Sequence, residues 1–211
     1  LANAQMFLKK FKALELTFEK LWELAPRIKS EKNKEFLTKA ILSSQMAYNN
    51  VKGAFDNSIH LLKQYEGPIN EEDLRVDYVT HFNTANAFFG LKNYKMAINY
   101  VNKIINQPHD YRDDTQCMAR ILNLIIHYEI GNMDLLEYAV KSTYRFILKK
   151  KKLYAFETLL MQFIRKSSSR MLTSKKATDA FIELKTELEK VIKDPDEKIV
   201  LESVDAISWL E

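Results

Sequence analysis

The chain has 211 residues, 46% of them hydrophobic, and a formal net charge of +4, so it carries ample apolar material for a continuous core. Its four glycines and four prolines exclude a turn-rich β fold and point to an all-α protein of long helices with few breaks. The single cysteine, Cys117, excludes an internal disulfide and fits a reducing compartment such as the cytoplasm, and no apolar run approaches the roughly 20 residues of a membrane span.

Leu1 stands where an initiator Met would, with no basic-then-apolar leader, so the chain is expected to be part of a longer protein. From Asn3 to Leu24 the apolar residues Phe7, Leu8, Phe11, Leu14, Phe18, Leu21 and Trp22 recur three and four apart, the stripe of an amphipathic helix ended by Pro26. A second helix is expected from Glu31 to Val51, stopped at Gly53, and another from Phe55 to Tyr65, closed by Gly67 and Pro68. The next pair runs from near Glu71 to a break at Gly90–Asn93, then from Tyr94 to about Asn106 before Pro108. A third begins near Asp113, breaks at Gly131–Asn132 and continues from Leu135 to Leu148. Leu153–Arg170 and Ser174–Ile192 form a fourth pair, and Pro195 precedes a last helix over 196–211. About ten helices and no strand result.

Laying Gly53, Lys92 and Gly131 over one another gives a period of 39 residues. Phe55, Tyr94 and Met133 then coincide just after the turn, Ser58, Ala97 and Leu136 one helical turn later, and Leu62, Val101 and Val140 after that. Met46, Ala85 and Leu124 coincide in the preceding helix. Small residues where two helices approach, and a large apolar one after the turn, are what packing of helix hairpins requires.

Within this register, Ala85 to Pro108, with Phe88, Leu91, Tyr94, Ala97 and Ile98, resembles the signature of the tetratricopeptide repeat (TPR) family, many of whose bacterial members look like scaffolds. The resemblance extends, with fewer matching positions, to Cys117–Ile147 and Asn33–Tyr65. It implies one α-solenoid of stacked antiparallel helix pairs over 1–211, with its best repeats at 71–108 and 112–148, a packing helix within 1–30 and a capping helix at 196–211. The chain departs from the family in its longer period, in Leu136 where a small residue is usual, and in lacking the first-helix Trp. A lengthened first helix in each pair, and a less curved superhelix, would follow.

The resemblance also implies a concave face built from the first helices, holding a peptide or a partner helix. It would present Ser43, Ala47 and Asn50, then Phe82, Asn83, Asn86 and Phe89, then Ile121, Leu122, Ile125 and Tyr128. Asn83 and Asn86 would hydrogen-bond a peptide backbone in both senses; as plain solvated positions they would do nothing. The family's basic clamp for a terminal carboxylate is absent from these positions.

Val140 to Lys176 carries Lys141, Arg145, Lys149, Lys150, Lys151, Lys152, Arg165, Lys166, Arg170, Lys175 and Lys176 against Glu157 alone, leaving the remainder net acidic. Lys141, Arg145 and Lys149 are four apart and form one stripe that Lys152 continues. A solvated face, an acidic protein partner and nucleic acid all fit it, the last with Tyr144, Tyr154, Phe156 and Phe163 as stacking platforms. Those aromatics also fall at helical spacing with Val140, Ile147, Leu160 and Ile164, as a buried face would.

No residue set points to catalysis, a cofactor or a metal. His60, His81, His109 and His127 are scattered, no glycine loop cradles phosphate, and His109, Asp110, Asp113 and Asp114 read as a solvated loop capping the next helix. Cys117 reads as a small core residue, and Trp22 and Trp209 as buried in terminal helices. The Phe-rich first helix caps the stack, packs on upstream sequence or forms a homodimer contact; composition does not choose among these. The expectation is a protein-binding module, with a nucleic-acid-associated regulatory module as the alternative.

Overall fold

A computed structural model describes residues 2–65, 74–107, 112–150, 154–168, 174–194 and 197. Among these, ten α-helices, one 3-10 turn and no strand are present: α1 (Ala2–Phe7), α2 (Phe11–Leu24), the 3-10 turn (Ala25–Arg27), α3 (Glu31–Val51), α4 (Phe55–Tyr65), α5 (Leu74–Gly90), α6 (Tyr94–Ile105), α7 (Asp113–Glu129), α8 (Met133–Lys149), α9 (Ala155–Ser168) and α10 (Ser174–Val191). No described helix is long and apolar enough to cross a membrane. The expected last helix over 196–211, with Trp209, lies outside the described residues apart from Glu197.

The 39-residue register is built into the backbone. Gly53, Lys92 and Gly131 all adopt left-handed φ, at 70°, 57° and 74°. Each is followed by a residue whose N–H reaches back five positions: Ala54 to Asn49, Asn93 to Phe88, and Asn132 to His127, at 2.8, 2.8 and 3.0 Å. That pairing closes the orphan carbonyls of a helix end and turns the chain sharply. Side chains one helical turn later follow suit: Ser58, Ala97 and Leu136 are wholly buried, as are Met46, Ala85 and Leu124 in the preceding helices. The turn geometry is independent of the residue, since Lys92 takes the conformation that glycine takes in the other two.

The same turn also ends α1. Lys9 has φ of 53°, and Lys10 N–H donates to the Gln5 carbonyl at 2.8 Å. The helix expected from Asn3 to Leu24 is therefore two helices, which the unbroken three-and-four spacing concealed. Side-chain capping is sparse: Ser30 Oγ accepts from Asn33 N–H at 3.4 Å and Asn93 Oδ1 from Met96 N–H at 3.3 Å.

The chain divides into two compact units, Leu1–Arg112 and Asp113–Glu211. In the first, α3 packs on α2, α4 and α5, and α5 on α6. Leu14, Phe18, Ala25, Ile41 and Tyr48 form one cluster and Leu42, Met46 and Leu62 another, with Trp22 half-buried against both. Trp22 donates to Gln45 Oε1 at 2.6 Å and stacks on Tyr65, centroids 4.8 Å apart. Gly90, at the end of α5, lies against the Phe55 ring that opens α4; a Cβ there would fall 2.3 Å from it. In the second unit α7 packs on α8 and α9, α8 on α9, and α9 on α10. The Arg120 guanidinium stacks over Phe146 at 4.1 Å, and Lys150 pairs with Asp113 at 3.0 Å.

Candidate interaction surfaces

Four of the seven residues expected to bind a partner are core residues. Phe82, Asn83, Leu122 and Ile125 are buried, as are Ser43 and Ile121, so none of them presents a contact surface. Helices α5 and α7 are buried on nearly every side: Tyr78, Thr80, Phe82, Asn83, Thr84, Ala85 and Ala87 in α5, and Thr115 to Ala119, Ile121, Leu122 and Leu124 to Ile126 in α7. A helix buried all round has no periodic outward face to read, which is why one side of each passed for a groove.

Asn83 has a structural role instead. Its side-chain amide donates to the Ser43 carbonyl at 2.8 Å, while its backbone carbonyl accepts from Asn50 Nδ2 at 2.8 Å. Ser58 Oγ in turn lies 2.8 Å from Asn50 Oδ1. These contacts join α3, α4 and α5 through polar groups that are satisfied by one another. Asn86 and Phe89 are half-buried; the Asn86 amide donates to the Phe82 carbonyl of its own helix at 3.1 Å, and the Phe89 ring lies 5.9 Å from Tyr94. Tyr128 belongs to an aromatic trio with Phe163 and Phe181, at 5.6 and 5.9 Å, where burial pushes its hydroxyl pKa up.

The basic segment yields a continuous exposed face. Along α8, Lys141, Arg145 and Lys149 are exposed on one stripe, and large apolar side chains stand among them: Tyr138 at 75% exposure, with Leu135, Tyr144 and Leu148 also exposed. The opposite stripe, Leu136, Val140, Thr143 and Ile147, is buried, which fixes the orientation of the helix. Lys141 bonds Glu137 at 2.7 Å, holding that carboxyl below its usual pKa. Lys152 lies outside the described residues. Phe156 and Phe163 are core, so of the aromatics named for stacking Tyr144 is the exposed one. Tyr138, the most exposed, was missed, although it stands three before Lys141 and seven before Arg145 and so shares their stripe.

A second feature left no sequence signal. Glu157, in the first turn of α9, is wholly buried. Its Oε2 accepts from Tyr154 N–H at 3.1 Å, and its Oε1 has no hydrogen-bond partner among the described residues. Glu197 accepts from the next two amides, Ala155 at 2.7 Å and Phe156 at 3.2 Å. Burial, reinforced by the Glu197 charge and opposed by the Tyr154 N–H, pushes the Glu157 carboxyl up to about 7. From sequence it was merely the one acid in a basic stretch.

Each described histidine meets a different neighbour. His60 lies 3.2 Å from Gln64, His81 packs edge-on to Tyr100, and His127, its pKa lowered by burial, meets Asn132 at 3.2 Å. Among the described residues no group of three or more His, Cys, Asp or Glu is placed to hold a metal ion. His109 and Asp110 lie outside them. Cys117 is buried. Comparison with family models, with curated proteins and with solved structures finds no match to this chain.

Proposed function

We propose that this chain is a protein-binding module of TPR-like helix pairs, acting by association and not by catalysis, and that its contact surface is the outer face of α8. The observation that carries this is Tyr138, 75% exposed among Lys141, Arg145 and Lys149. Isolated exposed apolar residues are ordinary, but a tyrosine on one stripe with three cations, flanked by exposed Leu135, Tyr144 and Leu148, forms a surface with chemistry of its own. Tyrosine and arginine contribute most per residue at protein interfaces. The complement is an amphipathic helix or peptide with acidic residues flanking an apolar ridge. The partner site thus moves from the central groove to the second helix of the third pair, because the first helices spend their side chains on packing. The recurrent left-handed turn supports the repeat architecture.

Binding of a labelled acidic amphipathic peptide about four turns long, followed by fluorescence anisotropy, tests the assignment. The parent should bind it and ignore a basic peptide of the same pattern. Tyr138→Ala and Arg145→Glu should each weaken binding at least tenfold without changing helix content. Retention of a single-stranded oligonucleotide in place of the peptide, with a steep loss in salt, would favour the nucleic-acid alternative, for which Tyr138 and Tyr144 among cations supply stacking platforms.

A further inference from the structure

The outward face of α2 carries two leucines, Leu16 and Leu24, among exposed charged residues. Leu14 and Phe18 are buried in the core, but Leu16 and Leu24 stand on the opposite side at 56% and 49% exposure, and Leu8 on the preceding turn is 58% exposed. Beside them an open pocket of ≈ 410 Å³ lies between α1 and α2, lined by Gln5, Ala13, Leu16, Thr17, Lys20 and Leu21. Its wall is held by Thr17 Oγ1 bonding Gln5 Oε1 at 2.8 Å. One surface therefore carries both apolar knobs and an apolar hole.

The charges on α2 decide what covers it. A helix N-terminus is a partial positive charge and its C-terminus a partial negative one. Helix α8 follows that rule, with Asp134 in its first turn and Lys149 in its last. Helix α2 does not: Lys9, Lys10 and Lys12 gather at the positive end and Glu19 and Glu23 towards the negative one, with Glu15 and Lys20 between, no acid in the first turn, no base in the last, and no side-chain cap at Lys10. Each end of the isolated helix is unfavourable in its own field. A second α2 laid antiparallel corrects both ends at once, its acidic end running along the basic end of the first and its dipole opposed. Two-fold symmetry then makes the patch its own complement, because every knob meets the hole of the other copy.

We propose that two copies of this chain associate about a two-fold axis with their α2 helices antiparallel, Leu16 and Leu24 of each seated on the Ala13–Leu21 pocket of the other. Lys12 of one copy faces Glu23 of its mate. This surface lies in the first compact unit and the α8 face in the second; the dimer inference does not rest on the α8 reading.

Sedimentation velocity of the full chain at micromolar concentration should give twice the 24.8 kDa chain mass. Leu16→Lys with Leu24→Lys should return it to one chain mass; both side chains are exposed, so helix content by circular dichroism should be unchanged. Lys12→Glu alone should weaken the dimer, and Lys12→Glu with Glu23→Lys should restore it. The orientation is read separately by Lys12→Cys with Glu23→Cys. Eleven residues separate these positions in one helix, about 16 Å, too far for an internal bridge, so a covalent dimer after mild oxidation reports the antiparallel arrangement. A parent that sediments as one chain overturns the proposal. So does a dimer indifferent to the double lysine change, or the absence of a covalent product from the double cysteine variant.

Discussion

The Asn83 amide of α5 donates to the Ser43 carbonyl of α3 at 2.8 Å, a bond between residues 40 positions apart. It is buried, and the Asn83 backbone carbonyl accepts from Asn50 Nδ2, which ties the same residue to α3 a second time. Removing the side chain leaves the Ser43 carbonyl with one fewer donor at a buried site, while the backbone acceptor of Asn50 stays. Asn83→Ala should therefore cost about 1–3 kcal/mol, and Asn83→Asp more, since it places an acceptor against an acceptor. Urea unfolding measures both. A loss of only a few tenths would mean that water reaches the site and that Asn83 is a surface group after all.

Lys92 and Gly131 hold the same left-handed turn at φ of 57° and 74°, one with a side chain and one without. A Cβ in that region costs about 1 kcal/mol, partly offset by the greater freedom that glycine loses on folding. Lys92→Gly should stabilise the fold by about 0.5–1 kcal/mol and Gly131→Ala should destabilise it by a similar amount. Thermal melts of the two variants should shift in opposite directions; shifts of the same sign would remove the turn as the cause.

Gly90 sits where the Phe55 ring occupies the space a methyl group would need, 2.3 Å from the ideal Cβ. Alanine is the better helix former by about 1 kcal/mol, yet Gly90→Ala should lower stability by about 1–2 kcal/mol through displacement of the ring. Phe55→Leu should relieve the clash, so the double variant should be more stable than the sum of the single changes predicts, measured as a double-mutant cycle. Strict additivity would place the two residues out of contact.

Glu157 should make stability fall as pH rises. Its folded pKa is raised to about 7, so between about pH 4.5 and pH 7 the folded chain binds more protons than the unfolded chain. The destabilisation grows through that window and is complete above it, up to about 3 kcal/mol from the shift alone. Glu157→Gln keeps an acceptor for Tyr154 N–H and removes the charge. It should raise Tm at about pH 8 and leave it nearly unchanged at about pH 4. Equal effects at both would show that the carboxyl is not buried in charged form.

Much of the architecture was legible because it rests on local physics. Helix class, the Glu31–Val51 and Phe55–Tyr65 spans and the 39-residue register follow from apolar spacing and from turn residues that act within a few positions of themselves. Cys117, read as core, is buried, and of the four aromatics whose spacing suited a buried face Phe156 and Phe163 are buried while Tyr144 is exposed. The break at Lys9 escaped because periodicity persists across it. What the tertiary structure decided is which face each helix shows. In α5 and α7 apolar and small polar residues surround the axis, so spacing alone cannot say which stripe meets solvent, and Asn83, Leu122 and Ile125 went inside. In α8 one stripe is buried and the other free, and that contrast exposed Tyr138 beside Lys141 and Arg145. Glu157 lies furthest from the reach of sequence, because its charge is governed by burial and by Glu197, 40 positions along the chain. A carboxylate's solvent and its distant neighbours are properties of the folded packing alone.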